Sequence, residues 1–92
     1  FKKVLFDDIL YIESSHVYVE VFLKNQQKLL VRTSLTEILS NLSPNFIRVH
    51  RGFIVNIKYL SQINTSVVII GNKNIPIGKK YKDDVLKLIN TI

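Results

Sequence analysis

Arg48, His50 and Arg51 crowd the middle of the segment Asn45-Phe46-Ile47-Arg48-Val49-His50-Arg51-Gly52-Phe53-Ile54-Val55-Asn56, whose apolar residues alternate as they do in strands. Guanidinium and imidazole groups donate hydrogen bonds to base edges and to phosphates. A glycine directly after them permits the tight turn that would lift such donors off a rigid sheet. Two further segments offer the same chemistry. Ser14-Ser15-His16 follows an apolar run, and Gly78-Lys79-Lys80 stands where a final helix is expected to begin. A helix N-terminus flanked by ammonium groups attracts phosphate, although a solvated lysine turn has the same composition. Each segment mixes base-reading side chains with hydroxyls or amides suited to the nucleic-acid backbone.

Catalysis finds little support. His16 and His50 are 34 positions apart and form no metal-type pair. Ser14 and Ser15 lie near His16, but no orienting acid or oxyanion-hole motif accompanies them. Asp7-Asp8 and Asp83-Asp84 suit a turn and a helix start better than an acid–base dyad. The stretch from Gly71 to Lys80 superficially resembles a phosphate-binding loop. It fails because its glycines are seven apart and Lys80 stands where the metal-binding hydroxyl belongs. The chain is therefore not expected to be an enzyme, and no metal or cofactor is expected.

Ninety-two residues, 47% hydrophobic and 22% charged, suit one folded domain spanning 1–92 and leave no room for two cores. No apolar run reaches the ~18 residues of a membrane span, so no membrane partner is expected. The absence of cysteine fits a reducing, cytoplasmic setting. Residue 1 is Phe and no methionine occurs, so the chain is expected to be one module of a longer polypeptide. Residues 1–46 balance five basic side chains against five acidic ones, whereas residues 47–92 carry eight against two. The entire +6 net charge thus lies in the second half and points to a polyanionic partner.

The elements that must position these groups are mostly short strands. Lys3–Phe6 reads as a strand remnant, Leu10–Ser14 as a strand, and His16–Leu23 as the clearest one. In it Val17, Val19, Val21 and Leu23 alternate with His16, Tyr18, Glu20 and Phe22. Asn25-Gln26-Gln27 supplies a hairpin turn into Lys28–Thr33, with Leu29 and Val31 on one face. Ser34-Leu35-Thr36-Glu37 is a capping box opening a helix with Leu35, Ile38, Leu39 and Leu42 on one stripe; Ser43-Pro44-Asn45 should end it. Strands then follow at Ile47–Val49, Phe53–Asn56, Leu60–Ile63, Val67–Ile70 and Asn74–Ile77, the last confined to an edge by Pro76. After Gly78 a helix aligns Tyr81, Val85, Leu88, Ile89 and Ile92, with Asp83 and Asp84 near its positive end. The expected fold is mainly β, a mostly antiparallel sandwich with one short capped helix and a C-terminal helix. Apolar side chains on both faces of His16–Leu23 imply a middle sheet covered on both sides. No helix is basic along a whole face, which argues against a recognition helix of the helix-turn-helix kind.

Four segments, in order, resemble the LytTR family of bacterial DNA-binding domains. Asp8-Ile9-Leu10-Tyr11-Ile12-Glu13 is similar to its D-I-L-Y-I-E opening, and Leu30–Leu39 to its strand and capped helix. Phe46–Asn56 is similar to its core of a phenylalanine, H-R-S, an apolar pair and V-N. Ile75-Pro76-Ile77-Gly78-Lys79-Lys80-Tyr81 resembles I-P-V-S-R-R-Y. The likeness implies three small, mainly antiparallel sheets in an elongated sandwich. It also implies sequence-specific binding of double-stranded DNA, with loops reading successive major grooves at promoter direct repeats. Such domains are usually the output of two-component response regulators behind an N-terminal receiver domain, and they act on the transcription machinery. Carried over by position, His16, Arg51 and Lys80 become the base-contacting candidates. Ser15, Arg48, His50 and Lys79 become backbone-contacting candidates. Gly52 and Gly78 replace serines, and lysines at 79 and 80 replace arginines, losing the planar fork that grips guanine. Two other classes fit the composition: a basic β-rich module that docks an acidic protein, and a single-strand RNA binder stacking bases on Tyr18 and Phe22. Glu20 between those rings opposes the latter, and both rings are expected to pack against a neighbouring sheet.

Overall fold

The computed structural model describes residues 4–91. Eight strands form two antiparallel sheets: β1 (Ile9–Ser15), β2 (Tyr18–Leu23), β3 (Lys28–Val31), β4 (Phe46–His50) and β5 (Phe53–Asn56) in one, β6 (Gln62–Ile63), β7 (Val67–Ile70) and β8 (Lys73–Pro76) in the other. Strand order is β3-β2-β1-β5-β4 in the first sheet and β6-β7-β8 in the second. The fold is thus mainly β, as expected, but with two sheets where the family resemblance implied three. Pairing of β1 with both β2 and β5 joins the first hairpin and the β4–β5 hairpin into one continuous layer.

That layer is covered on both faces. On one side Ile12, Val19, Val21 and Ile54 pack with Leu35 of α1 (Leu35–Leu39), and Ile38, Leu39 and Leu42 close the cluster. On the other side Tyr11, Val49 and Val55 meet Val68, Ile70 and Ile75 of the small sheet and Val85 of α2 (Lys82–Thr91). Ile9 and Ile12 share the first core although three residues apart, because the register of β1 shifts between Ile9 and Tyr11. A bulge inserts one residue and restores the face. Pro76 lies on the edge strand β8, where its missing N–H disturbs no central ladder.

Several boundaries differ from the sequence reading for local reasons. β2 begins at Tyr18, since His16 and Val17 form the two-residue turn after Ser15, and Val17 is exposed. Val31 is exposed rather than packed beside Leu29. α1 ends well before Pro44: the Ser40 hydroxyl and the Asn41 amide both donate to the Glu37 carbonyl, terminating the helix by side-chain competition. At its start the Glu37 N–H donates to Ser34 Oγ over 3.1 Å, half of the anticipated capping box, and the Glu37 carboxylate accepts from the Ser34 hydroxyl at 3.4 Å. Leu60 lies outside β6, because Ile57–Tyr59 forms a 3-10 turn whose Lys58 N–H donates to the buried Asn56 side chain. The proposed strand remnant begins at Lys3, outside the described residues, and Leu5 precedes a 3-10 turn at Phe6–Asp8. Ile92 of the C-terminal stripe also lies outside them, whereas Val85 is buried and Tyr81 and Leu88 half-buried.

Candidate nucleic-acid interface

Antiparallel pairing decides which turns become neighbours. Ser15 pairs with Tyr18 at the tip of the β1–β2 hairpin, and Glu13 pairs with Phe53 at the start of β5. The β4–β5 turn, Arg51-Gly52, therefore emerges beside Ser14, and the Ser14 N–H donates to the Gly52 carbonyl over 3.0 Å. The third segment is fixed to the second in the same way, since the Gly78 N–H donates to the Val49 carbonyl over 2.7 Å. Three turns far apart in sequence thus meet at one end of the large sheet through main-chain bonds.

The first turn holds His16 at φ +58°, exposed. Left-handed backbone costs a non-glycine residue about 1–2 kcal/mol, and histidine is among the side chains enriched there. A groove of about 350 Å3 runs from His16 past Arg32, Thr33 and Ser34 to Glu37. Arg32 is exposed and had not been singled out by sequence; pairing of Val31 with Val19 carries the end of β3 to the same rim as the hairpin tip. Periodicity alone contains no such signal, because it depends on register.

The second and third turns share one concavity of about 410 Å3 lined by His50, Arg51, Gly78, Lys79, Lys80 and Tyr81. The register of β4 shifts between Arg48 and His50. His50 therefore does not follow the alternation expected from Phe46 and Arg48; its ring meets Phe53 edge-on, 5.7 Å between centroids. Its Nδ1 accepts the Gly52 N–H over 3.0 Å, so the proton of the neutral ring is carried on Nε2. Arg51, Lys79 and Lys80 are exposed, while Arg48 and Ser15 are half-buried. Arg48 reaches Thr36 of α1 and the carbonyls of His50 and Arg51, and lies 6.0 Å from the Tyr81 ring centroid. Lys80 approaches the same ring at 6.0 Å.

Charge is distributed to match. Among the described residues the ion pairs are Lys24–Asp8, Lys28–Glu20 and Lys58–Asp7, none of which involves the three turns. Arg51, Lys79 and Lys80 form none with the described residues, and all three are exposed. No group of three or more His, Asp or Glu side chains among the described residues is arranged to hold a metal ion. No helix among them is long and apolar enough to cross a membrane. The aromatic face meets the expectation in part, since Phe22 packs against the core shared with the small sheet and Tyr18 does not. Phe22 is half-buried and stacked on Tyr11 at 4.4 Å, but Tyr18 is 37% exposed and does not join it. A lone half-buried ring with Lys28 Nζ 5.9 Å from its centroid offers no platform for successive bases.

Residues 1–90 match the family model of the LytTR DNA-binding domain. Among solved structures, the chain is similar to a LytTr DNA-binding domain from Bacillus cereus, assigned to a methyl-accepting/DNA response regulator. The two superpose with a TM-score of 0.84 at 25% identity, over 94% of this chain and 84% of that one.

Proposed function

The chain belongs to the LytTR family of DNA-binding domains, and from that membership we propose that it reads specific double-stranded sequences as the output domain of a bacterial transcription regulator. The observation that carries this reading is the meeting of three donor-bearing turns at one sheet end, locked by Ser14–Gly52 and Val49–Gly78 main-chain bonds. His16, Arg51 and Lys80 take base edges in successive major grooves. Ser15, His50 and Lys79 take phosphates. A response-regulator context supplies the partners: a receiver domain N-terminal to this one, promoter direct repeats, and the transcription machinery in the cytoplasm. The chemistry is binding, not catalysis.

Selection of bound duplexes from a random pool, followed by competition titration, tests the proposal. Preference for one selected duplex over its scrambled version and over heparin is the expected result. Equal competition by all polyanions would instead favour docking to an acidic protein surface. Preference for single strands is not expected, because Tyr18 does not join Phe22 in a stacking surface and Lys28 stands 5.9 Å from the Phe22 ring centroid.

A further inference from the structure

Among the described residues at this end, Arg48 is the cation whose guanidinium is turned inward. Nη2 donates to the Arg51 carbonyl over 2.7 Å, Nε to the His50 carbonyl over 3.3 Å, and Nη1 to Thr36 Oγ1 over 3.3 Å. Its Cζ stands 6.0 Å from the ring of Tyr81, in the 3-10 turn Lys79–Tyr81. One planar group therefore touches the second turn twice, the first turn of α1 once, and the third turn through Tyr81. The two carbonyls sit where the bulge and the turn interrupt the β4–β5 ladder. A cation that gathers both carbonyls inward fixes the peptide planes of the turn, and the Arg51 side chain is left projecting outward.

We propose that Arg48 is a positioning residue for DNA reading rather than a phosphate contact. Its forked guanidinium fixes the Arg51 turn against α1 and against the Lys79–Lys80 turn, so that their side chains meet the duplex as one preformed surface. The assignment rests on the sequence-reading function proposed above. It explains why arginine, not lysine, stands there. The three acceptors are met by three different nitrogens of one planar group, Nε, Nη1 and Nη2, a spread of donors that a point-like ammonium does not have.

Arg48→Lys keeps the charge and removes the fork, which makes it the deciding variant. Affinity for the selected duplex should fall about tenfold, as expected for loss of charge-assisted bonds, while scrambled duplex is bound nearly as before. The log–log dependence on salt should keep its slope, because no phosphate contact is lost. In an Arg51→Ala background the same change should cost less than twofold, since the group being positioned is gone. Thr36→Val, which removes one anchor without touching charge, should weaken selected duplex by a smaller factor in the same direction. It keeps the test decisive if Arg48→Lys folds poorly. An Arg48→Lys protein that binds like the parent overturns the inference. So does a loss equal on both duplexes with a slope reduced by about one, or a loss undiminished in the Arg51→Ala background. A parent protein without preference among duplexes would overturn the function proposed above and this role with it; a parent with preference but indifferent to Arg48→Lys overturns this role alone.

Discussion

Two arginines three positions apart, alike in sequence, are placed in opposite ways by a single bulge. Arg51 projects from the turn and Arg48 turns beneath it, so truncating the outward one removes no brace from the fold. Arg51→Ala should cost roughly 1–3 kcal/mol on the selected duplex and flatten preference at one base position, with thermal unfolding near the parent. Lys79→Ala should instead weaken all duplexes alike and lower the log–log salt slope by about one. Titrations on selected and scrambled duplex at several salt concentrations check both; equal losses for Arg51→Ala on both duplexes would make the second turn a phosphate clamp. The glycines make a sharper contrast. A Cβ on Gly52 would lie 3.5 Å from His50 Nδ1 and from Ser14 Oγ, ordinary contact distances. Gly52→Ser should therefore fold normally and, with a hydroxyl added to the turn, bind every duplex more tightly by about 0.5–1.5 kcal/mol in the same titrations. A Cβ on Gly78 would lie 3.1 Å from Tyr81 Cδ2, so Gly78→Ser requires that ring to give by a few tenths of an ångström, and thermal unfolding of the variant reads whether it does. The residue types at all three turns were legible in the sequence. The inward aim of Arg48 was not, because no spacing rule reports a bulge between Arg48 and His50.

Elements were most legible where local chemistry decides them. The Ser34 cap, the Phe53–Asn56 and Val67–Ile70 strands and the edge position of Pro76 all follow from side-chain type and period, and the structure keeps them. Boundaries failed where hydrogen bonds between nearby side chains and backbone override period, as Ser40 and Asn41 do at Glu37. The number of sheets failed because β1 pairs on both sides, a non-local choice that no single segment encodes. Burial of β1 on both faces has a consequence in alkali. Tyr11 is 8% exposed and stacked on Phe22; burial, and then the charges of Glu13 and Glu20, raise its phenol above the ordinary value of about 10.0. The unfolded chain ionises this group first, so the folded state holds the proton more tightly through that window. Its contribution to stability is complete below about pH 10 and is lost as pH rises through the higher folded value. Tyr11→Phe keeps the stacked ring and removes the ionisation. Denaturant unfolding of the two proteins should show a gap that is constant near neutrality and shifts in favour of the variant above pH 10. A gap independent of pH would mean that the phenolate is not disfavoured at this position.

At the scale of the whole molecule, the domain measures 39 × 24 × 22 Å, long enough to lie along one turn of duplex, about 34–36 Å. Whether it does so alone or as a dimer depends on the surfaces left uncovered. Leu30 and Val31 are 58% and 40% exposed on β3, one of the two edges of the large sheet, and such an edge invites pairing with another chain. Two features blunt it. The strand has only four residues, and Lys28, ion-paired with Glu20, holds a charge at its start. Short edges bearing lysine pair poorly, so the isolated domain should be monomeric, and Leu30→Lys should leave its sedimentation unchanged. Two monomers can still occupy a tandem direct repeat in one orientation, because a direct repeat requires no two-fold axis between proteins. Footprinting should then show two equal protected windows with the same strand asymmetry, and inverting one repeat should reverse that asymmetry without weakening either site. A stable dimer in sedimentation without DNA, abolished by Leu30→Lys, would reverse the argument. The β3 edge would then be the dimer seam, antiparallel pairing across it would impose two-fold symmetry, and inverted rather than direct repeats would become the expected operator.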